Sequence, residues 1–204
     1  ALSDEFVNHF WQFINDGEYT ISQVGDKKQF YRFIKPQAEG FPKMIELFCR
    51  KPDLIKEVEG MHLTDIPTGE EVSSLSAILL DDEYYQFALT NTQLINGLHI
   101  ANEYALICLK VRAFLNNSKR KAEGQEVKSE EIAKHKNDVI RLIATLLPNN
   151  VVLIPDTIKQ ELKEYISIIR LENPDVKLLL KAQGAANISL EEIIEQLELI
   201  FALK

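Results

Sequence analysis

Glu46 is the residue whose type and setting in this sequence most strongly suggest chemistry. It lies within Met44–Phe48, a short run in which the four remaining residues are all apolar. If this run is a strand, Ile45 and Leu47 share one face, and Glu46 lies on the other face between two apolar side chains. A strand that is apolar on both faces is usually covered on both, and burying a carboxylate there is costly unless a cation or strong donors meet it. Two interpretations stay open: a glutamate that pairs with Arg or Lys or faces water, and a metal ligand or general base in a cleft.

A second group of candidate residues lies on a helix that the spacing of apolar residues predicts for 129–147. This spacing puts His135 and Lys136 on the apolar side of the helix and Asp138 at its border. The packed face would then become polar towards the N-terminal end of the helix. Such a change is typical of a helix that runs from a core into a cleft. The alternative is that Lys134 and Asp138 form a weak ion pair on the surface, with Lys136 merely extending to solvent.

Lys110 borders the apolar stripe of the preceding helix, where it either reaches a phosphate or lies along the edge of a core. No glycine-rich phosphate loop, nucleophile elbow or Ser/His/Asp arrangement stands out in the sequence. The residues alone therefore indicate a globular protein with two unusual polar regions.

Composition excludes some classes of function. The 204 residues are 46% hydrophobic and 26% charged, as in ordinary globular proteins. A net charge of −8 argues against a protein that coats nucleic acid, but it leaves open nucleoside triphosphates neutralised by a divalent metal. The two cysteines lack CxxC spacing, and no signal or transmembrane segment is visible. We therefore expect a cytoplasmic protein that does not associate with membranes.

The predicted elements give an α+β fold. Residues 1–100 should form a β-containing unit, and residues 101–204 a helical region in which 103–147 pack on a cleft and 150–204 form an extension. The first unit is predicted to begin with a helix over 4–16 and a hairpin of Tyr19–Val24 and Gln29–Ile34 around a Gly25-Asp26 turn. A strand Met44–Phe48 should follow, and then a loop over 52–72 with one short strand near Met61–Leu63. A helix near 82–89 and extended pieces near Leu94 and 98–100 should complete the unit. Helices are predicted over 103–116, 129–147, 156–171, 174–183 and 190–203, with 116–128 an exposed loop. Expected caps are Asn102, Ser129 and a capping box of Ser189 with Glu192.

Five segments carry a resemblance through their residues and their order along the chain, namely Gln29–Phe33, Gly40–Phe48, Ser73–Leu80, Leu109–Leu115 and Lys134–Leu142. Together they resemble bacterial nucleotidyltransferase-like proteins related to abortive-infection toxins. The likeness runs from about residue 4 to residue 147.

The resemblance implies a partial nucleotidyltransferase-type mixed sheet followed by a helical region. In such proteins a Gly-Gly or Gly-Ser turn holds the triphosphate, an Asp-x-Asp pair binds divalent metals, and a third acid stands on a later strand. The resemblance gives Glu46 the third-acid role, as a catalytic residue and ligand of Mg²⁺ or Mn²⁺. It places Lys110, Lys134, Lys136 and Asp138 in the helical half that faces the nucleotide, and it predicts that Glu46, Lys110 and Asp138 converge on one cleft.

The implied activity is metal-dependent transfer of a nucleoside monophosphate from a triphosphate to an acceptor hydroxyl. RNA and protein are both open as acceptors, and a homo-oligomer is one expectation for the assembly. The Gly turn and the Asp-x-Asp pair precede the first helix in relatives and are absent from these residues, so the chain alone is expected to be inactive. The alternative is a degenerate, non-catalytic binding module in which salt bridges among the same residues close the cleft.

Overall fold

Before residue 103 the described elements are mostly short strands with two helices among them, and from residue 103 onward they are helices, so the fold is α+β. The structure, a computed structural model, describes residues 4–24, 27–50, 63–66, 75–147, 150–185 and 187–204. Its strands are β1 (Thr20–Val24), β2 (Lys27–Ile34), β3 (Met44–Glu46), β4 (Phe48–Arg50), β5 (Leu63–Ile66), β6 (Leu75–Leu80), β7 (Thr92–Ile95) and β8 (Leu98–Ala101). Its helices are α1 (Asp4–Asp16), α2 (Asp82–Thr90), α3 (Glu103–Ala122), α4 (Ser129–Ile143), α5 (Asp156–Glu172), α6 (Val176–Leu180) and α7 (Leu190–Ile200).

The chain forms two compact units, Ala1–Tyr85 and Gln86–Lys204, which divide within α2. The sequence led us to divide the chain after residue 100. The residues in between include the β7–β8 hairpin, and the Asn102 N–H that follows it donates to the Asn91 carbonyl oxygen at 2.9 Å. Because β8 contacts α3, the hairpin belongs with the helical unit.

In the first unit, α1 packs on an antiparallel sheet of order β1-β2-β3. Val7 and Ile14 of α1 and Phe33 of β2 form its buried centre. The rings of Phe10 and Trp11 meet Phe33 edge-on, with centroid distances of 5.4 and 5.6 Å. The sheet therefore covers part of the aromatic surface that Phe10 and Trp11 give to α1. Such T-shaped contacts are favourable beyond the apolar area that they bury.

The predicted strand Met44–Phe48 is wrong as a single element. It is interrupted after Glu46, so that β3 pairs with β2 while β4 belongs to a second sheet of order β4-β6-β5. The expected cover on both faces is also wrong, because Met44 and Phe48 are 52% and 49% exposed. Glu46 therefore lies on the more open face of the strand, where a carboxylate costs less than in a closed core.

The second sheet is mixed, since β4 runs parallel to β6 and β5 runs antiparallel to it. Strand β5 lies within the predicted loop 52–72, slightly after the expected strand at Met61–Leu63. The rest of that loop and the predicted Gly25-Asp26 turn lie outside the described residues.

Helix α3 is longer than predicted, because it continues to Ala122 through residues expected to form a loop. Lys and Arg are good helix formers, and the cations Lys119, Arg120 and Lys121 in the last turn favourably oppose the negative end of the helix dipole. The prediction of a loop was therefore wrong for 116–122, where polarity reflects an exposed helical end.

The predicted caps are confirmed at two of three helix starts. Asn102 Oδ1 accepts a hydrogen bond from the Ala105 N–H at 3.0 Å, and Ser189 with Glu192 forms the expected capping box of α7. Ser129 is instead the first residue of α4, and the cap position is Lys128, whose side chain makes no capping hydrogen bond.

Apolar residues on α5, α6 and α7 build the core of the C-terminal part. The fully buried side chains there are Ile158, Leu162, Tyr165, Ile169, Leu180, Ile193, Ile194, Leu197, Ile200 and Phe201. Among the helices that the structure describes, none combines the length and the apolar character that crossing a lipid bilayer requires.

Candidate functional site

The candidate site of the helical unit is built on the packing of α3 against α4. The two helices contact each other, and each buries apolar residues, namely Ala105, Ile107, Cys108, Val111 and Phe114 on α3 and Val139, Ile140 and Ile143 on α4. Lys110 and Asp138 lie next to these buried positions and are each only about a quarter exposed, at 26% and 22% for their side chains. The packing of the apolar residues thus brings two polar side chains together at the edge of the interface.

Lys110 and Asp138 form a direct ion pair in which Lys110 Nζ lies 2.7 Å from Asp138 Oδ2. The other carboxylate oxygen, Oδ1, accepts from Arg141 Nη1 at 3.2 Å. Burial alone would raise the pKa of Asp138, but hydrogen bonds and positive charge from Lys110 and Arg141 outweigh it and hold this pKa below its ordinary value. These three residues, called the charge cluster below, combine two cations with one carboxylate and have a net charge of +1.

His135 precedes Asp138 by about one turn on α4. Its Nδ1 atom is buried and has no hydrogen-bond partner. Burial lowers the pKa of His135, and the positive charges of Lys110 and Lys134 lower it further. The imidazole beside the charge cluster is therefore neutral at pH 7.

Lys136 reaches α5, where its ammonium pairs with Glu172. The hydroxyl of the buried Tyr165 donates to the Lys136 carbonyl oxygen at 2.8 Å. Lys134 is exposed, and Asp138 binds Lys110 and Arg141 in place of the surface pair with Lys134 that the sequence left open. The structure thus brings Lys110 and Asp138 together and directs Lys136 to a different neighbour.

Glu46 pairs with Arg32 on the adjacent strand. The two residues are direct cross-strand partners of β3 and β2, which puts their side chains on the same face. Arg32 Nε donates to Glu46 Oε1 at 2.6 Å, and the side chains are 34% and 21% exposed. The guanidinium carbon of Arg32 also lies 5.7 Å from the centroid of the Tyr31 ring. This geometry matches the simpler interpretation, a glutamate paired with a nearby arginine.

A divalent metal site is not formed by the described residues alone. No three of the His, Cys, Asp and Glu side chains in these ranges are placed to hold a metal ion, and a guanidinium group occupies one side of Glu46. Mg²⁺ and Mn²⁺ prefer several oxygen ligands, so Glu46 would need carboxylates from outside these residues. The metal implied by the resemblance stays a prediction, as does the convergence of Glu46 with the helical residues on one cleft.

Two arginines with clear partners were missed by sequence reasoning. Arg141 follows Asp138 by three residues, a helical spacing that brings side chains together and that could have indicated the pair. Arg32 could have been found only from the strand register, because cross-strand pairing is not visible in the order of residues.

Comparisons with models of protein families, with curated proteins and with solved structures give no match to this chain. The nucleotidyltransferase resemblance therefore depends on the sequence segments quoted above. What the structure adds to it is the geometry of the charge cluster and of the Arg32–Glu46 pair.

Proposed function

We propose that this protein is of the nucleotidyltransferase type and that its helical unit binds the phosphates of a nucleoside triphosphate at the charge cluster. The observation that carries the proposal is the 2.7 Å contact between Lys110 and Asp138. These residues come from different helices and from two separate segments of the resemblance. Their contact supports a shared role for the two segments.

The charges of the cluster suit a phosphate. Two cations around one carboxylate leave a positive excess, and partial burial weakens its screening by solvent. The guanidinium of Arg141 can bind phosphate oxygens with two parallel hydrogen bonds, and Lys110 supplies a compact positive charge. Asp138 fixes the positions of both cations, and a bound phosphate would contact the same two cations.

In the proposed reaction an acceptor hydroxyl oxygen attacks the α-phosphorus of the triphosphate. The bond from that phosphorus to the bridging oxygen of pyrophosphate breaks, pyrophosphate leaves with the electron pair, and the hydroxyl proton passes to solvent or a base. The part assigned to Lys110 and Arg141 is to stabilise the negative charge on the phosphates. Because Glu46 needs further carboxylates to hold a metal, nucleotide binding is the activity to test on this chain.

The experiment is a calorimetric titration of the chain with MgATP at low ionic strength, where charge–phosphate contacts are least screened. We expect saturable binding that Lys110→Ala weakens by about tenfold or more, equivalent to about 1.4 kcal/mol. Lys119→Ala is the matched control, because Lys119 lies on the same helix but is 73% exposed and 3.9 Å from Glu123. Thermal unfolding checks that both variants are folded. The absence of saturable binding, or equal losses in the two variants, would contradict the proposal.

A second candidate function is a non-catalytic binding module of the same ancestry. The observation that favours it is the ion pair of Asp138 with Lys110, since this alternative expects salt bridges among the candidate residues. Glu46 pairs instead with Arg32, which is not one of them. In that case the ion pairs only stabilise the fold. The double reversal Lys110→Asp with Asp138→Lys would then keep the stability of the protein, and MgATP would bind neither form.

A further inference from the structure

His135 is the one residue beside the charge cluster whose polar atom is left without a partner in the described part of the chain. Its Nδ1 atom is buried and makes no hydrogen bond. A buried polar atom without a partner loses the hydrogen bonds that water would make with it, so it calls for an explanation. The proposed function of the cluster supplies one.

The charged groups that act on His135 come from α3 and from α4, the helix that carries His135. Lys110 of α3 and Lys134 of α4 oppose a positive charge on the imidazole, while Asp138 and Glu131 of α4 favour it. The carboxylate of Asp138 is already bound to Lys110 and Arg141. In the free protein, burial and the two lysines therefore keep the imidazole neutral.

We propose that His135 takes up a proton from solvent when a phosphate-bearing ligand binds the charge cluster, and that it is a positioning residue of the nucleotide site. This inference rests on the proposed function. A polyphosphate brings several negative charges next to Lys110 and thereby offsets the cations that oppose protonation. The negative charge of the phosphates can favour the protonated imidazole without touching the buried Nδ1 atom. Protonation also leaves Nε2 as an N–H donor, and phosphate oxygens accept hydrogen bonds. Ligand binding and proton uptake then favour each other, because each raises the affinity of the protein for the other.

The direct test is the pH titration of the His135 ring by NMR, without ligand, with inorganic tripolyphosphate and with MgATP. The His135 resonance is assigned as the one missing from His135→Gln. We expect its pKa to rise by about half a unit or more with either ligand, as a nearby opposite charge requires. His99, an exposed residue of β8, is the internal control, and its ring resonances should be the same with and without ligand. A shift with MgATP alone would indicate contacts to the nucleoside and would overturn recognition through phosphate.

A second readout is the affinity for MgATP at about pH 6 and about pH 8. The phosphates of the ligand titrate in this range as well, so the wild type is compared with His135→Gln at each pH. At each pH the affinity of the wild type is divided by that of His135→Gln. We expect this ratio to be about three times larger, or more, at about pH 6 than at about pH 8. A folded His135→Asn variant serves if His135→Gln does not fold.

The failures of the two proposals are distinguishable. Saturable binding of MgATP without a change in the pKa of His135 would overturn only the proton uptake. The absence of binding by the wild-type chain would overturn the proposed function and this inference together.

Discussion

Lys110 and Asp138 meet across the interface of α3 and α4 with 2.7 Å between Nζ and Oδ2, although 28 residues separate them in the chain. Arg141 contacts the second oxygen of the same carboxylate. The carboxylate therefore couples one helix to the other at the edge of their apolar interface. The stability of the helical unit and the proposed nucleotide site thus depend on the same atoms.

A double-mutant cycle on Lys110 and Asp138 should show this coupling. We expect Lys110→Met and Asp138→Asn each to lower the free energy of unfolding by about 1 kcal/mol, because each leaves a partly buried partner unpaired. The loss of unfolding free energy in the double variant should be smaller than the sum of the two single losses by about 0.5–1 kcal/mol. Urea unfolding measures the three values, and additive losses would show that the pair contributes no coupling energy.

The contribution of Asp138 to stability should depend on pH in the acid range. Because its pKa is lower in the folded protein than in the unfolded chain, its stabilising effect is present above the unfolded pKa of about 3.9 and is lost as the pH falls through the folded pKa. Because His135 also responds to the charge of Asp138, the comparison is made in a His135→Gln background. There we expect the loss of stability caused by Asp138→Asn to be constant from about pH 5 to 7 and to shrink below that range. A difference that grows on acidification would contradict this sign.

Cys108 should be unreactive in the folded protein. Its side chain is fully buried, and burial, followed by the negative charge of Glu161, raises the pKa of its thiol. The thiolate is the reactive form, so modification requires local opening. In a Cys49→Ser background, we expect labelling by a disulfide reagent to be about a hundredfold or more slower in buffer than in urea. Equal rates in the two conditions would show that Cys108 is accessible.

The capping box of α7 should contribute measurably to stability. Ser189 Oγ accepts from the Glu192 N–H at 3.2 Å, and the Ser189 N–H donates to Glu192 Oε2 at 2.7 Å. We expect Ser189→Ala to lower the free energy of unfolding by about 1 kcal/mol. Ser167→Ala is the matched control, since the exposed Ser167 hydroxyl only donates to the Lys163 carbonyl oxygen within α5, and its effect should stay within about 0.5 kcal/mol. Similar losses in both variants would mean that the cap has no special role.

Charge reversal of Arg32 and Glu46 separates a structural glutamate from a catalytic one. Arg32→Glu should destabilise the sheet by about 1 kcal/mol, because it places like charges directly opposite each other on β2 and β3. Adding Glu46→Arg should restore the stability if the pair is structural. If Glu46 is also the third acid, the stable double reversal should lose any transferase activity that the unmodified protein shows. Retained activity there would remove Glu46 from the catalytic role.

The candidate site could be predicted from the sequence only in part. Lys110, His135 and Asp138 stood out because their positions relative to the apolar stripes follow from helical periodicity alone. The contact partners of Glu46 and Lys136 did not stand out, since Arg32 and Glu172 reach them from other elements. Lys136 shows the limit clearly, because periodicity put it on the packed side but could not say which helix it would face.

The sequence by itself determined the elements and their caps wherever local chemistry is sufficient. Examples are the helical period from residue 103 onward, the Asn102 cap and the capping box at Ser189, which depend on residues within one or two turns of each other. Only the tertiary structure decided that Met44–Phe48 is divided between two sheets and that Asp138 binds Lys110 rather than Lys134. Those outcomes depend on strand register and on helix–helix packing, which are set by contacts between segments distant in the chain.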